Sequence, residues 1–452
     1  MGILEILISL LPIGRGANYI YDCNNNGVSA PFYFLLKGMK FMRIADVDVM
    51  DLKKKYSTPL YIYDVNHLKK NMDGYLSYFK SDNFDTEVLY ASKAFSIKEV
   101  LRIVKEKGMS LDCVSLGELY TAKCVDFDFK KIYFHGNNKS YEELEYAIGN
   151  NVGVIVVDNY MELETIEEIA NNKKKNVNVI VRINSGVSAH THKFIVTSHI
   201  DSKFGVLYKS DEYNKIIDLC NKSEFINFKG FHSHIGSQIF DLEAFRAALV
   251  KLISYAKDFS EPLILNIGGG FGVRYTSEDS PIPFDVVSQT LINTANEELT
   301  KSGLKIKKLC IEPGRSIVAE CGYTIYEIGY IKKTPNKEYY FINGGMTDNI
   351  RPALYQAKYD ADIVGKENEV KNHLVTVAGK CCESGDLIIE GINLPEAKKG
   401  DVLITYTTGA YGYSMSNNYN KALTPAVVFV EDGKDKLVVK RQTLDELLER
   451  EI

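Results

Sequence analysis

Leu263-Ile-Leu-Asn-Ile267 runs directly into Gly268-Gly-Gly-Phe-Gly272. A short apolar run closed by a turn signal reads as a buried strand. Successive glycines let backbone N–H groups approach an anion closely. A glycine string also occurs for purely steric reasons, so its weight depends on its place in the fold. Outward from it, seven more β-branched, apolar runs share its texture: Val88–Ala91, Leu111–Val114, Ile132–His135, Val154–Val157, Val177–Ile183, Phe231–His234 and Leu309–Glu312. Helix-period segments separate most of them, such as Ile97–Lys107, Tyr141–Gly149, Met161–Ala170, Glu212–Cys220 and Leu242–Phe259. Strand–helix alternation argues for a parallel sheet with helical crossovers. Eight such units in about 225 residues fit a (β/α)₈ barrel, with the glycine string after the seventh strand, where this fold commonly binds phosphate. A doubly wound open sheet is the alternative, but it uses fewer strands per domain and carries its dinucleotide fingerprint early.

After about residue 325 the long helical patterns nearly vanish and short strands take over. They are Tyr339–Ile342, Leu374–Ala378, Leu387–Ile389, Val402–Thr405, Val427–Glu431 and Leu437–Lys440, with turns such as Glu431-Asp-Gly-Lys434 and Lys399-Gly-Asp401 between them. The expected organisation is an N-terminal extension over 1–40, strand-bearing residues 41–66 that pair with a later β-domain, a barrel over 67–322, and a C-terminal β-domain over 323–452 closed by a charged helix. Leu60–Tyr63 is the strand in the second segment. Ile3–Ile13 is apolar but too short to span a bilayer, and it carries Glu5 and Pro12 without a basic start. It reads as an extension and not as a signal peptide.

The 452 residues are 45% hydrophobic and 25% charged, and 54 basic against 59 acidic side chains leave −5. Those figures suit a globular chain and give no bulk basic charge for nucleic acid. Eight cysteines, two of them adjacent (Cys381 and Cys382), are too sparse for a disulfide scaffold and fit a reduced, cytoplasmic setting.

Barrel chemistry sits at the C-terminal ends of the strands. The first strand ends in Tyr90-Ala-Ser-Lys93, and a lysine there is either used or snorkels to the rim. The sixth ends in His232-Ser-His234, with Ser237 close behind: either a metal pair, a flat imidazole beside a cofactor ring, or a core histidine. No carboxylate or third histidine nearby in sequence completes a ligand set, so no metal is expected. The eighth ends in Glu312-Pro-Gly-Arg315, whose acid either pairs with Arg315 or faces a cationic ring nitrogen. A lysine for a Schiff base, a glycine cradle for phosphate, an acid for a ring nitrogen and an aromatic face are the parts that a pyridoxal 5′-phosphate site requires.

Ordered motifs extend from Tyr56 to Tyr419: Tyr56-Ser-Thr-Pro-Leu-Tyr-Ile-Tyr-Asp64, Tyr90-Ala-Ser-Lys-Ala94, Asp112-Cys-Val-Ser-Leu-Gly-Glu118, Ser202-Lys-Phe-Gly-Val206, His232-Ser-His-Ile-Gly-Ser-Gln238, Asn266-Ile-Gly-Gly-Gly-Phe-Gly272, Glu312-Pro-Gly-Arg-Ser316, Arg351-Pro-Ala-Leu-Tyr355, Cys382-Glu-Ser-Gly-Asp386 and Gly409-Ala-Tyr-Gly-Tyr-Ser-Met-Ser416. On these the chain resembles the diaminopimelate decarboxylases, of the alanine-racemase-like, fold-type III group. The resemblance implies a barrel plus β-domain that uses pyridoxal 5′-phosphate to convert meso-2,6-diaminopimelate to L-lysine and CO₂. It implies that Lys93 carries the cofactor, His234 stacks on its ring and Glu312 pairs with the ring nitrogen. Ser237, Gly268, Gly269, Gly270, Gly314, Arg315 and Tyr411 would surround the phosphate. Arg315, Arg351, Tyr355 and Tyr411 would hold the far end of the substrate, Glu383 its ammonium, and Cys382 would lie near the reacting centre. Cys382 and Glu383 would come from the other subunit of a homodimer, with no membrane or nucleic-acid partner.

Three segments depart from the family pattern: Asn343-Gly-Gly345, Thr197-Ser198 and Lys380-Cys381. His190, His192 and His199 fall in a long stretch after the fifth strand without an acidic cluster and read as loop or lid rather than metal site. Lys53–Lys55 and Lys173–Lys175 read as solvated faces, and the six other cysteines as small core side chains. Two rival readings are a same-fold decarboxylase of another amino acid and a catalytically silent cofactor-binding regulator.

Overall fold

The computed structural model describes residues 42–186 and 202–452. His190, His192, His199 and Thr197-Ser198 lie outside the described residues, as do the first forty.

Eight parallel strands close into a barrel: Asp85–Ala91, Ser110–Cys113, Ile132–Phe134, Val154–Val157, Val177–Arg182, Ile226–His232, Leu263–Asn266 and Ile306–Ile311. Each pairs with the next, and the last closes on the first with Lys308 opposite Asp85 and Ile311 opposite Val88. Helices in the crossovers present apolar stripes to this cylinder. In Lys98–Glu106 they are Val100, Leu101, Ile103 and Val104, all buried. Tyr141–Gly149 starts with a reciprocal cap between Ser140 and Glu143.

Period-two alternation sorts the inward side chains into layers. Along the eighth strand Lys308 and Cys310 share one face, and Glu312 follows directly past its end. At the floor, Lys308 Nζ lies 2.7 Å from Glu87 Oε2, and the Tyr133 hydroxyl donates to the same oxygen at 2.8 Å. Leu89, Tyr133, Val156, Ile180, Ile264 and Cys310 fill the middle. The top layer is polar, and it is where the strands end.

The second sheet has nine strands. Leu60–Asp64, which precedes the barrel in sequence, pairs parallel with Ala426–Glu431 and antiparallel with Gly322–Lys333. The segment before the barrel is therefore stitched into strands that follow it. Gly322–Lys333, a strand not foreseen from the sequence, joins two halves. Its first half pairs with Val402–Thr405, and its second half with Glu338–Ile342 beyond a register shift at Ile328 and Tyr330. Ala361–Ile363 is a further unforeseen strand. Of the six cysteines expected in the core, Cys113, Cys220, Cys310 and Cys321 are buried, Cys124 is exposed, and Cys23 lies outside the described residues.

Candidate active site

Lys93 sits in a single turn, Ser92–Ala94, directly after the first barrel strand. Its side chain is 43% exposed, and Nζ lies 3.7 Å from Asp112 Oδ2 on the next strand. Burial opposes charge on Lys93, but Asp112, Tyr411 and Glu312 outweigh it and the pKa is raised. Both Asp112 oxygens are buried without a hydrogen-bond partner. The other lysine of this rim, Lys139, is fully committed: Nζ donates to the Gly136 and Val156 carbonyls at 2.7 and 2.8 Å and pairs with buried Glu162.

Across the mouth stands Glu312. The amide of Asn266 donates to Oε1 at 2.7 Å, His135 Nε2 lies 2.9 Å from the same oxygen, and His232 Nε2 lies 3.3 Å from Oε2. Burial alone would raise the Glu312 pKa; the two imidazoles outweigh it and hold the carboxyl well below its usual range. No carboxylate or third histidine stands near His232 in sequence, but the fold brings them from other strands: ligand atoms of His135, His232 and Glu312 all lie within 4.8 Å of one another. Glu312 does not pair with Arg315, which reaches Ser237 and Tyr275 instead.

The sixth strand stops at His232, so His234 lies past it in the loop. Gly269 N–H donates to His234 Nδ1 at 3.2 Å, which leaves the ring proton on Nε2. Burial, reinforced by Lys93 and Arg182, pushes the His234 pKa well down, so the ring is neutral.

The glycine turn packs where no side chain fits. A Cβ on Gly269 would lie 2.1 Å from the Glu312 carbonyl oxygen, and one on Gly270 2.2 Å from that of Gly236. Gly268 and Gly270 also have φ of +70° and +101°. Gly314 faces Ala91, whose Cβ would be 2.8 Å away. These contacts bring the ends of strands one, six, seven and eight together.

Beyond the turn opens a cleft of about 470 Å³, lined by Ser237, Tyr275, Arg315, Arg351, Tyr355 and Tyr411 among others. Arg315 Nη2 donates to Ser237 Oγ at 2.8 Å and Nη1 to the Tyr275 hydroxyl at 2.6 Å. Arg351 donates to the Tyr359 hydroxyl. Tyr411 N–H donates to the Ala94 carbonyl at 2.8 Å, tying the β-domain loop to the Lys93 turn. Cys382 and Glu383 are exposed and do not line this cleft; Cys382 N–H donates to Asn420 Oδ1 at 3.1 Å.

The sequence reading did not single out Asp112, His135, Arg182, Asn266, Tyr275 or Tyr359. Asp112, His135 and Arg182 lie at the ends of strands two, three and five, so the strand-end rule applied there would have found them. Tyr275 and Tyr359 lie in loops and carry no such signal. Chemically, the mouth suits a flat ring with a cationic nitrogen and an anionic arm, next to a cationic cleft for a carboxylate.

The family model for the pyridoxal binding domain of pyridoxal-dependent decarboxylases matches residues 65–319. The diaminopimelate decarboxylase of Bacillus methanolicus is 46% identical over 407 residues, 89% of this chain and 94% of the relative. That of Bacillus subtilis (strain 168) is 44% identical over 417 residues, 91% and 95% of the two chains. A crystal structure of diaminopimelate decarboxylase from M. jannaschii in complex with L-lysine superposes with a TM-score of 0.84 at 32% identity, covering 92% of this chain and 98% of that one. Barrel, mouth and β-domain together define a fold-type III pyridoxal-dependent decarboxylase. Within that class, the chain belongs to the diaminopimelate decarboxylase family.

Proposed function

We infer that the protein uses pyridoxal 5′-phosphate to decarboxylate meso-2,6-diaminopimelate, yielding L-lysine and CO₂. One juxtaposition carries the reading. An accessible lysine amine faces the buried Asp112 carboxylate, with ionised Glu312 held by His135 in the same polar layer, and two buried arginines have no carboxylate partner among the described residues. The residues fit the cofactor. Lys93 is available to its aldehyde, and the orphaned Asp112 carboxylate faces the lysine nitrogen. The cradle Gly268–Gly270 has no room for a side chain, and Ser237 offers a hydroxyl at its edge.

The cofactor supplies a conjugated, protonated ring that accepts the electron pair left by departing CO₂. Glu312 holds the proton at the ring nitrogen, because an ionised acid there stabilises positive charge. Neutral His234 would hold the ring by its face. Ser237, the backbone N–H groups of the glycine turn and of Gly314–Arg315, and Tyr411 would hold the phosphate. Arg315, Arg351 and Tyr355 bind the carboxylate at the non-reacting end, since a planar guanidinium suits a carboxylate. Lys93 or Cys382 would return a proton to the carbon that lost CO₂.

Cys382 and Glu383 stand away from the cleft of their own chain, which supports a homodimer whose other subunit supplies them. Glu383 would then meet the distal ammonium. A cytoplasmic setting belongs to the same reading: the described cysteines are all free thiols, and no helix among the described residues is long and apolar enough to cross a membrane.

Lysine or ornithine presented as substrate lacks the distal carboxylate and leaves the arginines unpaired, a cost of about 2–3 kcal/mol. The test is the visible spectrum and turnover of the holoenzyme. Meso-diaminopimelate should shift the absorbance and release CO₂, with kcat/KM roughly 10²-fold above that for lysine or ornithine. Lys93→Ala should abolish the cofactor's lysine-linked absorbance. A band that persists in that variant, or equal turnover of lysine, overturns the reading.

A further inference from the structure

We propose that Tyr275 is a positioning residue that sets specificity for a substrate with a second carboxylate: its phenol oxygen and ring fix Arg315 and Arg351 as one fork while leaving their charge uncancelled. The proposal rests on the function inferred above and deepens it.

Arg315 and Arg351 are 8% and 5% exposed and line one cleft. Two guanidiniums taken out of water together repel each other, and they ordinarily need carboxylates. Here aromatic groups hold both arginines, and Ser237 Oγ accepts a further bond from Arg315. Arg315 Nη1 donates to the Tyr275 oxygen, and its Cζ lies 4.9 Å from the Tyr411 ring. The Arg351 Cζ lies 4.7 Å from the Tyr275 ring and 5.5 Å from that of Tyr359. Tyr275 is itself 6% exposed and packs edge-on to Tyr359 at 5.3 Å between centroids. Its backbone is pinned, because the N–H groups of Tyr275 and Thr276 both donate to Asp279 Oδ2, at 3.0 and 2.9 Å.

An aspartate or glutamate in place of Tyr275 would hold the same arginines but cancel one charge and compete with an incoming anion. A phenol holds them without doing either. The unused capacity is visible: Arg315 Nε is buried with no hydrogen-bond partner. A carboxylate that enters the cleft thus meets an oriented pair of cations, whereas an uncharged or cationic chain end meets an unrelieved desolvation penalty.

The same geometry makes recognition sensitive to alkali. Groups facing the Tyr275 ring and hydroxyl are Arg315 and Arg351, each from a short helix, and Tyr359; Asp279 faces its backbone, and Tyr411 lies beyond Arg315. Burial opposes ionisation of the phenol, but the two arginines outweigh it and draw its pKa below the ordinary tyrosine value. A phenolate between the arginines would act as the competing anion, so affinity for the far carboxylate falls as pH rises.

Tyr275→Phe removes the oxygen and keeps the ring. Ligand binding to the holoenzyme, read from the cofactor absorbance, separates the terms. L-lysine offers the far-end carboxylate, and 1,5-diaminopentane is the same chain without it. The expected result in Tyr275→Phe is roughly tenfold weaker L-lysine binding with diaminopentane unchanged, together with a KM for meso-diaminopimelate raised roughly tenfold at near-constant kcat. The alkaline rise in KM should also be lost, while the cofactor band and thermal unfolding stay as in the parent. Equal weakening of both amines, or no weakening of L-lysine, overturns the role of Tyr275. A parent enzyme that binds the two amines equally overturns the carboxylate reading of the cleft itself, a failure distinct from the first.

Discussion

Glu312 stays ionised in a buried layer because groups from three other strands converge on it: His135 past the third, His232 on the sixth and Asn266 on the seventh. His232 bears part of that burden. Burial, only partly opposed by Glu312, pushes its pKa down to about 4. Between that value and 6.5 the unfolded chain binds a proton that the folded one refuses, so stability rises with pH across this window and is lost as pH falls through it. The full difference is on the order of 3 kcal/mol. Chemical unfolding of the parent and of His232→Gln from pH 7.5 to 4 should show the parent losing its advantage in that interval; parallel curves would refute it. Glu312→Gln removes the charge that holds a proton on the cofactor nitrogen, and kcat should fall roughly 10²-fold or more with KM little changed. At this scale Lys93, Glu312 and the glycines were legible because each closes a recognisable strand. Tyr275 was not, since nothing local marks a tyrosine that will stand between residues 315 and 351.

Strand seven and its turn show why single elements read well. Leu263–Asn266 is short, apolar and bounded by glycine, and no helix signal competes with it. The need for glycine there is tertiary: the Gly269 backbone passes so close to the end of strand eight that a methyl group would meet the Glu312 carbonyl. Gly269→Ala should separate the two strand ends, destabilise the apoprotein by about 2 kcal/mol and weaken cofactor binding in parallel. Denaturation without cofactor isolates the first effect and a cofactor titration the second; an unchanged unfolding midpoint would remove the steric account. Gly322–Lys333 went unread for the opposite reason. Its outer half, from Gly329 to Lys333, is mostly exposed and carries two lysines, and its pairing partners lie as far off as Leu60 and Thr405. Only the assembled sheet makes it one strand.

At the scale of the molecule, the question is how many chains make one site. Barrel and β-domain are interlaced within a chain by Leu60–Asp64, and Tyr411 reaches the Lys93 turn from the same chain. Cys382 and Glu383 do not reach it. No pattern in one sequence says which copy supplies a residue, because intrachain and interchain contacts obey the same chemistry. Complementation distinguishes them. Lys93→Ala is silent wherever its own barrel forms the site, and Cys382→Ala/Glu383→Ala is silent wherever its own β-domain loop is needed. If each site draws the barrel from one subunit and the loop from the other, a mixed dimer holds one site with both lesions and one with neither. Random pairing of the two variants, co-expressed with separate tags, then restores about a quarter of parental activity, since half the dimers are mixed and each has one intact site of two. Isolated by both tags, the mixed dimer should reach about half. If each chain builds its own site, every site in every pairing carries a lesion and no activity returns.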